Sequence, residues 1–560
     1  MVIGLIYQER TYPKTLTAGD CVIYKEGNAM KKREIKRPQK IGETSNAQNT
    51  NINNLQETDV DNDIEKNRQM LSEIFKDCSD VTFRDFSIGS EENKCLLVYI
   101  NGMVKKSYIN DYLMGPLMNL ARITTIEKNI EKNDLVKTII NTSVTAGTVI
   151  QVNKTGEIVK EILAGRCIIY VNNNNSAISI NLKSYKTRNI EETDIEPVLR
   201  GPLEGFTEDL KTSVTQIRRR IKTPDLKVEK YSLGRLSSTD IAVLYVKGLV
   251  SDDVLREIRE RINRIDVDVI IESGQLELLI EDEPFSLFPL IEYTQRPDNA
   301  VLALSSGRAV IIIDTTPFVL MVPSVFSHFL GVSEDNYSRM FFSIFIKILR
   351  QVAFIISLTA PSIYIAVTTF HMEMIPEPLL INLAAIRSAV PFPALVEALL
   401  LESIFEILRE AGERLPRGIG PALSIVGALV IGQAAVEAGL VSNAMIIVVA
   451  ITAISSFAAP KFNMPRSVRM IRFPIMFLAA VLGMFGIVMA LLFLLVHLVS
   501  LRSFGATYFS PFAPLNVDGL KNEVFKLPYW TSTRRPSYIQ HNNIRRAKDG
   551  MKPGTWRKRK

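Results

Sequence analysis

Hydrophobic positions follow two different rules along this chain. From about residue 68 to 306, short apolar runs such as CLLVYI (95–100), CIIYV (167–171) and IAVLYV (241–246) alternate with charged, helix-periodic stretches such as 251–265. Short runs of β-branched and aromatic residues bounded by turn residues are the mark of strands, so an α/β region is expected here. Further on the uncharged runs lengthen: 351–372, 418–436, 438–460 and 473–501 contain no Asp, Glu, Lys or Arg. Each is about long enough to cross roughly 30 Å of hydrocarbon at 1.5 Å per residue, and each is expected to be a transmembrane helix. Residues 374–396, interrupted by Arg387 and prolines, form a weaker fifth candidate. The apolar run 315–333 carries Pro317 and Pro323 and is expected to lead into the membrane, not to span it.

The α/β region repeats itself. LLVYINGMV (96–104) matches AVLYVKGLV (242–250), with Tyr99/Tyr245 and Gly102/Gly248 in step, and GRCIIYVN from Gly165 matches GRAVIIID from Gly307. Offsets of 146 and 142 residues in the same order argue for two related units. The expected organisation is a disordered basic and Asn-rich leader (1–67), a first α/β lobe (68–197), a linker helix (198–224), a second α/β lobe (225–315), a polytopic transmembrane domain (316–520) and a basic tail (521–560). In fold class this is a two-lobed cytosolic α/β domain followed by an all-α polytopic membrane domain. In the linker, Thr207, Glu208 and Asp209 supply a helix cap and first-turn acids, while Arg218, Arg219 and Arg220 fall in the last turns. These arginines are expected to face acidic surface and couple the lobes; a phosphate-binding reading is the weaker alternative.

Charge changes the picture only at the end of the chain. The net charge is +7, but residues 521–560 carry twelve Lys/Arg against two acids, leaving residues 1–520 at −3. The basicity belongs to the tail, and a nucleic-acid-binding body is not indicated. Four cysteines without close spacing and four scattered histidines exclude a disulfide scaffold or a CxxC zinc site. No P-loop, HExxH, GxSxG or dinucleotide glycine fingerprint is present, so no cofactor and no enzymatic activity are expected. The opening MVIGLIYQER is too short for a signal-sequence core, and the N-terminal portion is expected in the cytosol.

The stretch 397–414 sets Glu402, Glu406, Glu410 and Glu413 on one helical face, to lie along the interface or a neighbouring helix. In GIGPALSIVGALVIGQAAVEAG (418–439), Gly420, Ser424, Ala428 and Gly432 repeat every four residues, a stripe on which another helix packs closely. Val426, Val430, Gln433 and Glu437 fall on the opposite face. In a ring of subunits that face gives a hydrophobic constriction beside a Gln/Glu ring, suited to cations. The other reading is that Glu437 snorkels to the interface at a helix end. The basic segment KFNMPRSVRMIR (461–472) and the tail are both expected on the cytoplasmic side. One straight helix at 473–501 cannot put both its ends there, which leaves the number of spans open.

Taken together, GPLEGFTEDLKTSVTQIRRRIK, TAPSIYIAVTTFHMEMIPEPLL, PFPALVEALLLESIFEILREAGERLPR, IGPALSIVGALVIGQAAVEAGLVS and SFGATYFSPFAP closely resemble the A subunit of GerA-family spore germinant receptors, over about residues 70–520. The resemblance implies a protein of the inner membrane of the endospore that oligomerises as an ion channel for monovalent cations. It also implies two partners, a transporter-like B subunit that senses the nutrient and a lipoprotein C subunit. The sporulation-stage V paralogue linked to dipicolinate release shares these motifs. From other classes, a secondary transporter using Glu437 or Arg387, or a scaffold anchored by its helices, are the competing readings.

Overall fold

The computed structural model describes residues 58–88, 93–117, 148–183, 200–414, 432–458, 463–523 and 530–536. It also describes the single positions 136, 139, 140, 196, 198, 461, 543, 545–547 and 551, and two short strands, β1 (Cys21–Glu26) and β2 (Ala29–Glu34), paired as a hairpin. Helix α1 (Ile64–Ile74) is capped by the Asp63 side chain, and the Val60 amide donates to the Asn153 carbonyl while the Thr155 amide donates to the Thr58 carbonyl. Residues 58–67, assigned above to the leader, thus pack with the first sheet.

That sheet contains β3 (Val81–Ser87), β4 (Lys94–Ile100), β5 (Val149–Val152), β6 (Cys167–Val171) and β7 (Ala177–Ile180), with α2 (Thr155–Leu163) between its third and fourth strands. Its spatial order is β3-β4-β6-β7-β5, every neighbour antiparallel. Next comes α3 (Leu210–Arg220), and then a second sheet built from β8 (Leu226–Leu233) and β9 (Thr239–Val246), α4 (Asp252–Arg264) and α5 (Ser273–Ile280), β10 (Glu292–Thr294), α6 (Pro297–Ser305), β11 (Ala309–Ile313) and β12 (Val319–Val322). Its order is β8-β9-β11-β12-β10. Numbered from its own first strand, each sheet reads 1-2-4-5-3. The two Y-h-x-G-h-V segments therefore occupy the same place, β4 and β9. Gly102 and Gly248 after these strands, and Gly165 and Gly307 before the fourth strands, all take positive φ, a conformation that glycine adopts without steric cost.

Side-chain alternation explains why β4 and β9 read as unbroken apolar runs. In β9, Ile241, Val243 and Tyr245 enter one buried layer with α4 and α5, while Ala242, Leu244 and Val246 enter another with α3 and α6. Both faces are covered, so neither needs polar residues. The strand β12 extends the second sheet past residue 315, where the apolar lead-in was expected to start.

Helices then take over: α7 (Met340–Thr369), α8 (Glu377–Ser388), α9 (Ala394–Arg414), α10 (Asn443–Phe457) and α11 (Asn463–Ser500). Among the described residues α7 and α11 are long and apolar enough to cross a membrane. At 12 and 15 residues, α8 and α10 reach only about 18 and 22 Å, short of the spans expected at 374–396 and 438–460. The segment 463–472 is helix, the first turns of α11, and not the loop its arginines suggest.

The helix α11 is a hairpin. Its Asn463 lies 3.4 Å from the Tyr293 hydroxyl and its His497 lies 3.4 Å from the Ser286 hydroxyl. A straight helix would separate residues 463 and 497 by about 51 Å, yet seven residues of extended chain between 286 and 293 reach about 25 Å at most. The turn is at Gly483, whose φ of 61° and ψ of −142° break the helix. Around it a methyl on Gly486 would collide with the Leu478 carbonyl, eight residues earlier. The halves 463–482 and 484–500 measure about 30 and 26 Å. Both feet rest on the second sheet, and the tip packs on Phe370 and His371 past the end of α7. Glu397 at the start of α9 accepts a bond from the Ser442 amide just before α10, so those helix ends meet as well, and α9 and α10 run parallel.

Candidate functional site at the junction of sheets and helices

Charged groups concentrate at three joints, and each is built from residues far apart in sequence. The first joins the sheets. Helix α3 ends in three arginines because cations suit a helix C-terminus, but only Arg218 turns inward. It is 1% exposed and forks onto Asp80, just before β3, with bonds of 2.7 and 2.9 Å. Its Nη1 also donates to the Thr223 carbonyl. Beside it the Ser79 amide and hydroxyl donate to the Val228 carbonyl of β8, and Lys227 Nζ donates to the Ile74 carbonyl. Gly102 lies so close to Thr215 of α3 that any Cβ would clash. Arg219 and Arg220 instead approach Glu204 in the loop leading into α3.

The second joint is the foot of α11. Lys461, 8% exposed, places its ammonium 2.6 Å from Glu196 and 3.3 Å from Glu292 of β10. Glu292 also receives Arg308 at 2.8 Å, and Arg308 donates to the Met321 carbonyl and the Ser324 hydroxyl. Burial alone would raise the Glu292 carboxyl; Arg308 and Lys461 outweigh it and pull the pKa down to about 2. Burial likewise pushes the Lys461 ammonium down, and Glu196 and Glu292 more than restore it, leaving it above its usual value. Four charges are thus locked in one compensated cluster linking the 196 segment, the second sheet and the hairpin. At the other foot, Phe504 inserts into the apolar layer of the second sheet, its amide bonded to Asp282 at 2.7 Å and its ring under the Arg261 guanidinium at 4.4 Å. The Ser503 hydroxyl spans the Leu290 carbonyl and the Ser324 amide. Tyr508, fully buried among Phe326 and Phe329, accepts from the Phe326 amide through its carbonyl.

The third joint lies inside the helix layer. Pro361 interrupts α7 and has no N–H, so the Ser357 carbonyl loses its helical donor. Arg472 of α11 supplies the missing bond, Nε to the Ser357 carbonyl at 2.8 Å, and pairs through Nη1 with Glu402 of α9. Glu402 and Arg472 are 1% and 2% exposed. One turn toward the sheets Arg469 pairs with Glu406, and beyond it Arg466 lies 3.8 Å from Glu413. The acidic face of 397–414 therefore meets a basic face of α11. Arg409 stacks on Phe405 and Phe457 beside it, and Arg409, Glu406, Glu410, Glu413, Arg466 and Arg469 border a cavity of about 580 Å³.

Of the expected pore-lining residues, Val426 and Val430 lie outside the described residues, as do Gly420, Ser424 and Ala428 of the expected packing stripe. Gly432, Gln433 and Glu437 lie in the helical turn 432–437, where Gln433 and Glu437 are exposed and joined by a 3.1 Å bond from the Gln433 amide to the Glu437 carboxylate. No group of three or more potential metal ligands occurs among the described residues. The residues that reading by sequence passed over are Lys461, Glu196, Glu292, Arg308 and the triplet Arg466, Arg469 and Arg472. The spacing of three in that triplet, set against 402, 406, 410 and 413, was the available signal.

The profile for the Bacillus/Clostridium GerA spore germination protein matches residues 69–538. Spore germination protein KA of Bacillus subtilis is 44% identical over 84% of this chain and 86% of its own length. The uncharacterized membrane protein YfkQ of the same species is 39% identical over 88% of this chain and 94% of its own. A crystal structure of the N-terminal domain of the A subunit of the Bacillus megaterium spore germinant receptor GerK3 is 32% identical, with a TM-score of 0.38 over 48% of this chain and 98% of that one.

Proposed function

The chain belongs to the Bacillus/Clostridium GerA family of spore germination proteins, and from that premise we propose that it is the membrane-embedded A subunit of a spore germinant receptor, oligomerising into a nutrient-gated cation channel. The helix layer would span the inner membrane of the endospore several times, with both sheets in the cytosol. The observation that carries this reading is the hairpin. With both feet of α11 on the second sheet, the chain after Ser500 returns to the side of the sheets, where Arg535 bonds the Ser305 carbonyl. On this reading the parity conflict left by the basic segments disappears and the number of crossings is even. One of these is proposed for the uncharged run 418–436 expected from the sequence. Val426 and Val430 are proposed as the gate and Glu437, next to Gln433, as the cation-attracting ring. The small stripe Gly420, Ser424, Ala428 and Gly432 would pack behind them.

Coupling would run from Arg218–Asp80 through the second sheet to the Lys461 cluster, so that a change in the sheets moves the hairpin. The B and C subunits of the family are the proposed partners, the nutrient being sensed on B. Reconstitution in liposomes tests the reading. Cation flux that appears with the chain, rises with nutrient when the B and C subunits are present, and grows without nutrient in Val430→Ala supports it. A tight bilayer under all three conditions overturns the channel assignment.

A further inference from the structure

Three arginines at every third position are an unusual load for an apolar helix. Arg466, Arg469 and Arg472 line one face of the first half of α11, and Arg472 sits nine residues in, about 14 Å from Asn463 and near the middle of a half that measures about 30 Å. Burial grades along the row, from 56% side-chain exposure at Arg466 through 14% at Arg469 to 3% at Arg472. The facing row on α9 has four carboxylates. Glu402, Glu406 and Glu413 take the three arginines, while Glu410 turns to Arg414 of its own helix and stays exposed. The row of acids thus has one rung more than the row of bases.

We propose that this ladder is a membrane-potential sensor: the first half of α11 slides by one rung along α9, from Arg472–Glu402 and Arg469–Glu406 to Arg472–Glu406 and Arg469–Glu410. Charges inside a membrane are costly unless paired, and a second set of partners at helical spacing lets them move without losing their pairs. The slide covers four residues of α9, about 6 Å. Three charges moved through a fifth of a 30 Å layer carry at most about 0.6 of an elementary charge, a shift of about tenfold in the two populations per 100 mV. Negative potential on the side of the sheets draws the arginines that way. Without a field the described register wins, because the displaced one leaves Glu402 buried without its cation. The movement acts on the joint below it: a slide of about 6 Å draws Lys461, two residues before the helix, off Glu196 and Glu292.

The proposal rests on the membrane reading above, and the test separates the two. The chain is reconstituted in phosphatidylethanolamine/phosphatidylglycerol vesicles, and alkaline carbonate extraction is run first; release of the protein would overturn the membrane reading and the sensor together. In retained protein, a Glu410→Cys/Arg469→Cys pair is oxidised at zero potential and at 120 mV set by valinomycin and a potassium gradient, negative on the sheet side. The unsubstituted chain controls for its own four cysteines. Cross-linking that rises several-fold with potential, while a Glu406→Cys/Arg469→Cys pair falls, is the expected result. Equal yields at both potentials overturn the slide. Amide hydrogen exchange of the unsubstituted chain over 463–472 gives the same decision if either pair fails to accumulate: rates must change with potential, and unchanged rates sink the sensor.

Discussion

The two sheets share one strand order and differ in what they hold. The second grips the helix layer at both feet of α11, through the compensated Lys461–Glu196–Glu292–Arg308 cluster on one side and the inserted Phe504 on the other. The first is tied to the second by the Arg218–Asp80 fork, the Ser79–Val228 bonds and Lys227, at one edge. Two sheets of one strand order thus carry different contacts. Among the described residues the second sheet is the base on which the helix layer stands, and the first carries none of these bonds to α11. A single strongly buried ion pair is a different kind of joint from a four-charge cluster, and that difference can be broken experimentally.

The largest effect is expected at the base. Lys461→Met leaves Glu196 and Glu292 buried without their shared cation and should cost about 3–5 kcal/mol, read as a lower unfolding temperature in detergent. The same cluster gives a pH signature. Glu292 titrates at about 2 in the fold against an ordinary 4.5, so its lowered pKa contributes stability above pH 4.5 that is lost as pH falls toward 2. The loss amounts to about 3 kcal/mol, and Glu292→Gln should flatten that part of the stability curve. At the joint between sheets, Arg218→Ala strands Asp80 and should cost about 3 kcal/mol, but its consequence differs in kind. Calorimetry should then resolve two transitions, the first sheet melting ahead of the second; a single transition would mean that the two are welded elsewhere. Gly483→Ala forces a side chain into positive φ against His371 and should cost about 2 kcal/mol. Glu410→Gln, on the exposed rung, should change stability by less than about 0.5 kcal/mol.

How much of this was readable beforehand depends on the range of each interaction. Strands β4 and β9 are short unbroken apolar runs that recur at a fixed offset, and the acidic face of α9 follows the 3.6 period of a helix, so all three stand in the sequence plainly. The hairpin does not. Gly483 lies among Leu482, Met484 and other apolar residues, and nothing nearby distinguishes it from a packing glycine. Arg466, Arg469 and Arg472 read as a cytoplasmic loop because a rule that counts positive charge cannot see acids 53–70 residues upstream. Lys461 is 265 residues from Glu196, and the donor that replaces the one missing at Pro361 comes from Arg472, 115 residues past the carbonyl it serves. Long-range pairs leave no periodic trace; their partners become visible only once the fold has brought them together.

The relation of sheets to helices turns on whether α11 returns to the side it came from. Single cysteines at Asn463, Gly505 and Met484, each in the full chain and labelled with a membrane-impermeant maleimide in sealed vesicles of known orientation, test this directly. Positions 463 and 505 are expected to react from the same side as the sheets, with 484 protected from that side. Labelling of 463 and 505 from opposite sides would make α11 a single crossing and contradict the hairpin.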